Sequence, residues 1–109
     1  MSEISNLINE LVKFRDDRDW EQFHNSKDLA IALNVEAGEL LELFLWKNPE
    51  DANEELIKAE LADVLAYAFL LSHKHGFDIR EILMEKIKTN ALKYPVDKAK
   101  GTAKKYNEL

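Results

Sequence analysis

Apolar residues recur at helical spacing along most of this chain. Ile4, Leu7, Ile8, Leu11, Val12 and Phe14 predict an amphipathic helix over residues 3–18. The segment DRDWEQFHNSKD then breaks the period, and Asn25 or Ser26 supplies a cap for a second helix reaching about Trp46, where KNP stops it. Pro49 suits a first helical turn with Asn48 as its cap. The run NPEDANEELIKAELADVLAYAFLLSHKHG therefore predicts a third helix, interrupted near residues 52–53 and closed by Gly76. Asp78 and Glu81 match a capping box for a fourth helix, which ends before Pro95 because the residue ahead of a proline avoids the α region. The tail, about 95–109, has no clear period, and neither an internal repeat nor a low-complexity linker divides the chain. The expectation is a single all-α domain over residues 1–109, a four-helix bundle.

Composition supports helices and narrows the setting. Of 109 residues, 46% are apolar and 33% charged, and three glycines with two prolines are too few for the turns of a many-stranded protein. The absence of cysteine removes disulfides, thiolate metal sites and thiol nucleophiles, and it fits a reducing compartment. No apolar run reaches the roughly 18 residues of a membrane span, and the start, MSEISNLINE, is acidic rather than a basic leader. A soluble, cytoplasmic protein without a membrane partner is expected. The second and third helices are apolar nearly all round, more than four helices of this length can cover, so a homo-oligomer is expected, a tetramer first and a dimer second.

Net charge is −6, which argues against polymeric nucleic acid as a partner. The charge is unevenly placed. Lysines 86, 88, 93, 98, 100, 104 and 105 stand against Asp97 alone, so residues 86–105 carry +6 and the rest −12. An acidic body with a basic tail can handle an anion through a bridging cation, although such tails are often plain solvated surface.

The acids of the apolar helices carry the chemistry. Leu29, Leu33, Leu40 and Leu43 form one stripe of the second helix, and Glu36 falls inside it, with Glu39 on the adjoining face and Glu42 further round. On the third helix Glu60 and Asp63 share a face with Leu56, Val64, Tyr67 and Leu71. Two carboxylates about 5 Å apart repel by roughly 3 kcal/mol even at an effective dielectric near 20. A hard divalent cation such as Mg²⁺, with Mn²⁺ as a substitute, removes that conflict and leaves positions for substrate phosphates. Solvated glutamates paired with lysines are the plain alternative.

Glu36-x-x-Glu39 followed by Glu60-x-x-Asp63 resembles the metal motif of the MazG-like, all-α nucleoside triphosphate pyrophosphohydrolases. RDWEQFHNSKDLAIALNVEAGELLELFLWK, ELADVLAY and KIKTNALKYPVDKAKGTAKKYNEL are similar to the branch of that family that hydrolyses dCTP, from Arg18 onward. The resemblance implies Mg²⁺-dependent hydrolysis of a nucleoside triphosphate, dCTP or a modified dCTP, to the monophosphate and pyrophosphate. Glu36, Glu39, Glu60 and Asp63 would be the metal-binding and catalytic residues. It places Trp20 and Trp46 around the base, with Phe23, His24 and Tyr67 nearby. It gives Lys86, Asn90, Lys93 and Tyr94 to the phosphates, and Lys105 and Tyr106 of the closing tail to a site in the same or a neighbouring subunit. One position departs: dCTP-selective relatives carry a histidine where this chain has Leu11, which loosens the expectation of cytosine. The implied role is cleansing of the nucleotide pool. The rival readings are a non-enzymatic helical interaction module and a nucleotide sensor that binds without turnover.

Overall fold

The computed structural model describes residues 2–109, and no strand forms among them. Helix α1 (Glu3–Asp17) begins where Ser2 Oγ accepts from the Ser5 amide at 3.0 Å. It ends at a turn through Asp19, which takes a left-handed φ of 56°, a conformation that aspartate tolerates. A 3-10 turn, Glu21–Phe23, leads to α2 (Ser26–Glu42), capped by Asn25 Oδ1, which accepts from the Asp28 amide at 2.8 Å.

The second helix stops short of its expected end at Trp46. The amides of Leu43, Phe44 and Leu45 reach three residues back rather than four, and Trp46 turns the chain with φ 60°. Apolar spacing over a single turn does not distinguish a tightened 3-10 end from continuing α-helix. The expected interruption of the third helix is present. A 3-10 turn at Pro49–Asp51 is followed by buried Ala52, and Asn53 Oδ1 then accepts from Glu55 and Leu56 to start α3 (Glu54–Lys74). Gly76, at φ 70°, closes it.

The chain divides into two compact units, one ending at Gly76 and the other Phe77–Leu109. In the first, α2 and α3 pack as an antiparallel pair. Ser26 Oγ at the start of α2 lies 2.8 Å from His75 Nε2 at the end of α3, while Glu36 meets Glu60 and Asp63 further along. Helix α1 packs on α3. Leu29, 1% exposed, Ala52 and Leu70 form the small apolar core, and Arg15 and Ser72 are buried with them.

The second unit holds α4 (Ile79–Lys93), started by Asp78, whose Oδ1 accepts from the Glu81 amide at 2.9 Å. The tail is not featureless. Pro95 opens a one-turn helix, α5 (Val96–Ala99), and a 3-10 turn closes the chain at Tyr106–Glu108. Elements of three or four residues are too short to leave a period. Tyr106 folds back on the end of α4, edge-on to Tyr94 at 6.2 Å and under Lys93 Nζ at 4.9 Å.

Candidate functional site

Antiparallel pairing of α2 and α3 brings the acids together. Ligand oxygens of Glu36, Glu60 and Asp63 lie within 4.8 Å of one another. Glu36 and Glu60 are half-buried, and one oxygen of each, Oε2, is shielded with no hydrogen-bond partner. Glu39 stands beside Glu36 but faces solvent. Burial pushes the Glu36 carboxyl up to about 7, helped by the neighbouring Glu39 and Glu60 carboxyls, which accept a proton held there, and by the charges of Glu39 and Asp63. Burial likewise raises the Tyr67 phenol, with the charges of Glu36 and Asp63 adding to it. Three carboxylates with two orphaned, shielded oxygens suit a hard divalent cation, which would satisfy those oxygens and cancel their repulsion.

Beside the acids, α1, the turn after it and α3 enclose a cavity of about 210 Å³. Its walls are Leu11, Phe14, Arg15, Trp20, His24, Asp63, Ala66, Tyr67 and Leu70. Asp63 thus belongs both to the acid cluster and to this pocket. His24 stands edge-on to Tyr67 at 6.5 Å, and its Nδ1 is shielded and without a partner. Desolvation, with Arg15 nearby, lowers the His24 pKa and keeps the imidazole neutral. Trp20 packs edge-on against Phe14 at 5.7 Å.

The structure therefore gathers Trp20, His24 and Tyr67 around one pocket. Phe23 is exposed, and Trp46 does not line the pocket. It stands 99% exposed in the turn beyond α2, a bulky residue in a left-handed conformation. Such strain is kept only where something else compensates, and nothing within the first unit covers this ring. Leu56, expected on the inward face of α3, is half exposed instead. Lys86, Asn90 and Lys93 share one side of α4 by spacing, and all three are exposed, as is Lys105. Sequence reasoning missed Arg15, which is 7% exposed. Its signal was present, since Ile4, Ile8, Leu11 and Arg15 follow one another at helical spacing on the inner face of α1.

Comparison with known proteins supplies the context. Residues 31–109 match the MazG-like family. The chain is similar to dCTP pyrophosphatase 1 of Mus musculus, at 37% identity over 90% of this chain and 62% of that protein. It is 35% identical to dCTP pyrophosphatase 1 of Homo sapiens over the same shares. It therefore spans about three fifths of the length of these relatives. The crystal structure of a pyrophosphatase from Archaeoglobus fulgidus superposes with a TM-score of 0.81 at 31% identity, covering 87% of this chain and 94% of that one. A three-carboxylate cluster on an antiparallel helix pair, a family match over most of the chain and a close structural neighbour agree: the chain belongs to the MazG-like family.

Proposed function

We propose that this chain is a nucleoside triphosphate pyrophosphohydrolase that converts dCTP, or a modified dCTP, to the monophosphate and pyrophosphate in the cytoplasmic nucleotide pool. The observation that carries this reading is the Glu36, Glu60 and Asp63 cluster, in which Oε2 of Glu36 and of Glu60 is shielded and met by no donor. The names of the relatives agree with it.

Glu36, Glu39, Glu60 and Asp63 would hold the cation, Mg²⁺ or in its place Mn²⁺, with the oxygens of Glu36, Glu60 and Asp63 already within 4.8 Å of one another. When bound, such a cation polarises phosphoryl oxygens and acidifies a bound water. The adjoining pocket takes the base: Trp20 and Tyr67 offer aromatic faces, while Leu11, Ala66 and Leu70 exclude water. Trp46 supplies a second stacking surface. Lys86, Asn90 and Lys93 of α4, with Tyr94, Lys105 and Tyr106, counter the triphosphate charge.

We also assign a homo-oligomer, a tetramer before a dimer. Leu7 and Phe14 of α1, Ile31, Val35 and Leu41 of α2, and Leu61 and Leu65 of α3 are all about half exposed. Among the described residues no helix is long and apolar enough to cross a membrane, so a bilayer-spanning role does not account for these side chains.

Phosphate release coupled through inorganic pyrophosphatase, across a panel of dNTPs with Mg²⁺ or EDTA, tests the reading. Turnover that requires Mg²⁺ and yields a monophosphate supports it. Saturable binding without product points to a sensor, and neither binding nor turnover to an interaction module.

A further inference from the structure

Arginine is almost never buried unless its charge is met, and Arg15 is buried in the wall of the enclosed pocket. Its partners are one-sided. Asp16 Oδ1 takes Nε at 2.9 Å and Nη2 at 2.8 Å, and Glu21 Oε2 stands 3.8 Å from Nη2. Both carboxylates are themselves exposed, so Asp16 grips one edge of the guanidinium from the solvent side and fixes its plane. A guanidinium carries five donors in a rigid fork, and gripping the Nε–Nη2 edge orients the Nη1 end. Leu11, one turn earlier on α1, offers no polar atom, and among the described residues that line this pocket Arg15 alone brings charged donors. Across it, His24 Nδ1 is shielded and without a partner.

A donor fork and a neutral imidazole nitrogen form an edge that can be matched to a base. Cytosine places two acceptors, N3 and O2, side by side, next to an amino donor at C4. Uracil and thymine insert an N3–H donor between two carbonyls, so the fork meets a donor and loses a hydrogen bond. An imidazole nitrogen accepting from the cytosine amino group completes the set, with the tautomer fixed by that contact.

Resting on the pyrophosphohydrolase reading, we propose that Arg15 is a specificity-determining residue: with its plane held by Asp16, its fork pairs with N3 and O2 of cytosine while His24 accepts from the amino group. The pocket thereby selects cytosine nucleotides over uracil and thymine nucleotides. The reader of the base on α1 is thus an arginine one turn beyond Leu11.

The test compares kcat/KM for dCTP, dUTP, dTTP and dGTP in the wild type, Arg15→Lys and His24→Leu. Arg15→Lys keeps the charge between Asp16 and Glu21 but loses the fork. The wild type should prefer dCTP, and each variant should lower the dCTP to dUTP ratio on the order of ten- to a hundred-fold, mainly by losing dCTP. A purely structural Arg15, holding the turn through its ion pairs, would depress all four substrates alike, and an unchanged ratio in Arg15→Lys overturns the proposal. If Arg15→Lys does not fold, an unchanged ratio in His24→Leu overturns it. A wild type that prefers dUTP, dTTP or dGTP also overturns it while leaving pyrophosphohydrolase activity standing. Calorimetry of dCMP and dUMP with the metal-free protein gives a readout independent of turnover: tighter dCMP binding that vanishes in Arg15→Lys supports the assignment, and equal binding in the wild type removes it.

Discussion

Glu36 on α2 and Glu60 on α3 approach each other and Asp63 around one small space, and each also has a shielded oxygen, Oε2, that no donor meets. If that space holds a divalent cation, removing one charge removes the activity while the helices remain. Glu36→Gln or Asp63→Asn should abolish Mg²⁺-dependent turnover with circular dichroism unchanged. Glu42→Gln, exposed and outside the cluster, should be mild. Wild-type rates in either of the first two variants would refute the ligand assignment.

The same crowding makes the metal-free protein sensitive to pH. Folding moves the Glu36 carboxyl from 4.5 to about 7, so the folded state holds a proton that the unfolded chain has already released. This contribution is fully present below pH 4.5 and is lost as pH rises through about 7. In EDTA, Tm should be higher at pH 5 than at pH 8, and Glu36→Gln should flatten that difference. Mg²⁺ should raise Tm more at pH 8 than at pH 5, because it competes with the proton. Scanning calorimetry of both proteins, with and without Mg²⁺, decides the point.

Stacking predicts a separate class of defect. Trp20→Ala and Trp46→Ala should each weaken nucleotide binding by about 1–3 kcal/mol, read as a raised KM. Trp20→Ala should also lower Tm, since Trp20 packs on Phe14. Light scattering must accompany the kinetics, and an unchanged KM in an intact assembly would take that tryptophan out of the base site.

The lysines of the second unit should not behave alike. Lys86→Ala and Lys93→Ala should cut kcat/KM strongly, with helix α4 retained because alanine favours helix. Lys88, on another side of α4, and Lys98 and Lys100, near α5, should give only the few tenths of a kcal/mol typical of exposed sites. A flat profile across the five variants, at constant ionic strength, would show that the lysines act only as solvated charge.

Local chemistry was legible in the sequence. Asn25 and Asp78 cap α2 and α4 as expected, each through a side chain reaching three residues ahead, whereas α3 is capped by Asn53 and the expected cap, Asn48, only precedes a 3-10 turn without a side-chain bond. The spacing put Glu36, Glu60 and Asp63 on inward faces, and Glu36 and Glu60 are indeed half-buried while Asp63 is exposed. That their oxygens converge depends on the antiparallel register of α2 against α3, which no local pattern encodes. Arg15 escaped notice because its partners lie next door in Asp16 and across a turn in Glu21, so its burial follows from a fold of the chain around it. The early end of α2 was hidden for another reason: leucines and a phenylalanine satisfy either kind of helical turn.

The contrast between the two tryptophans has a practical consequence. Trp46 sits in water, whereas Trp20 is 43% exposed and flanked by Phe14 and Arg18. The chain therefore carries two tryptophan fluorophores in different surroundings. An aqueous collisional quencher should reach the first freely and the second only in part. Anything that covers the turn beyond α2, a stacked nucleotide or another copy of the chain, should move the emission to the blue and protect it from the quencher. The concentration of protein or of nucleotide at which that protection appears then tells which of the two does the covering.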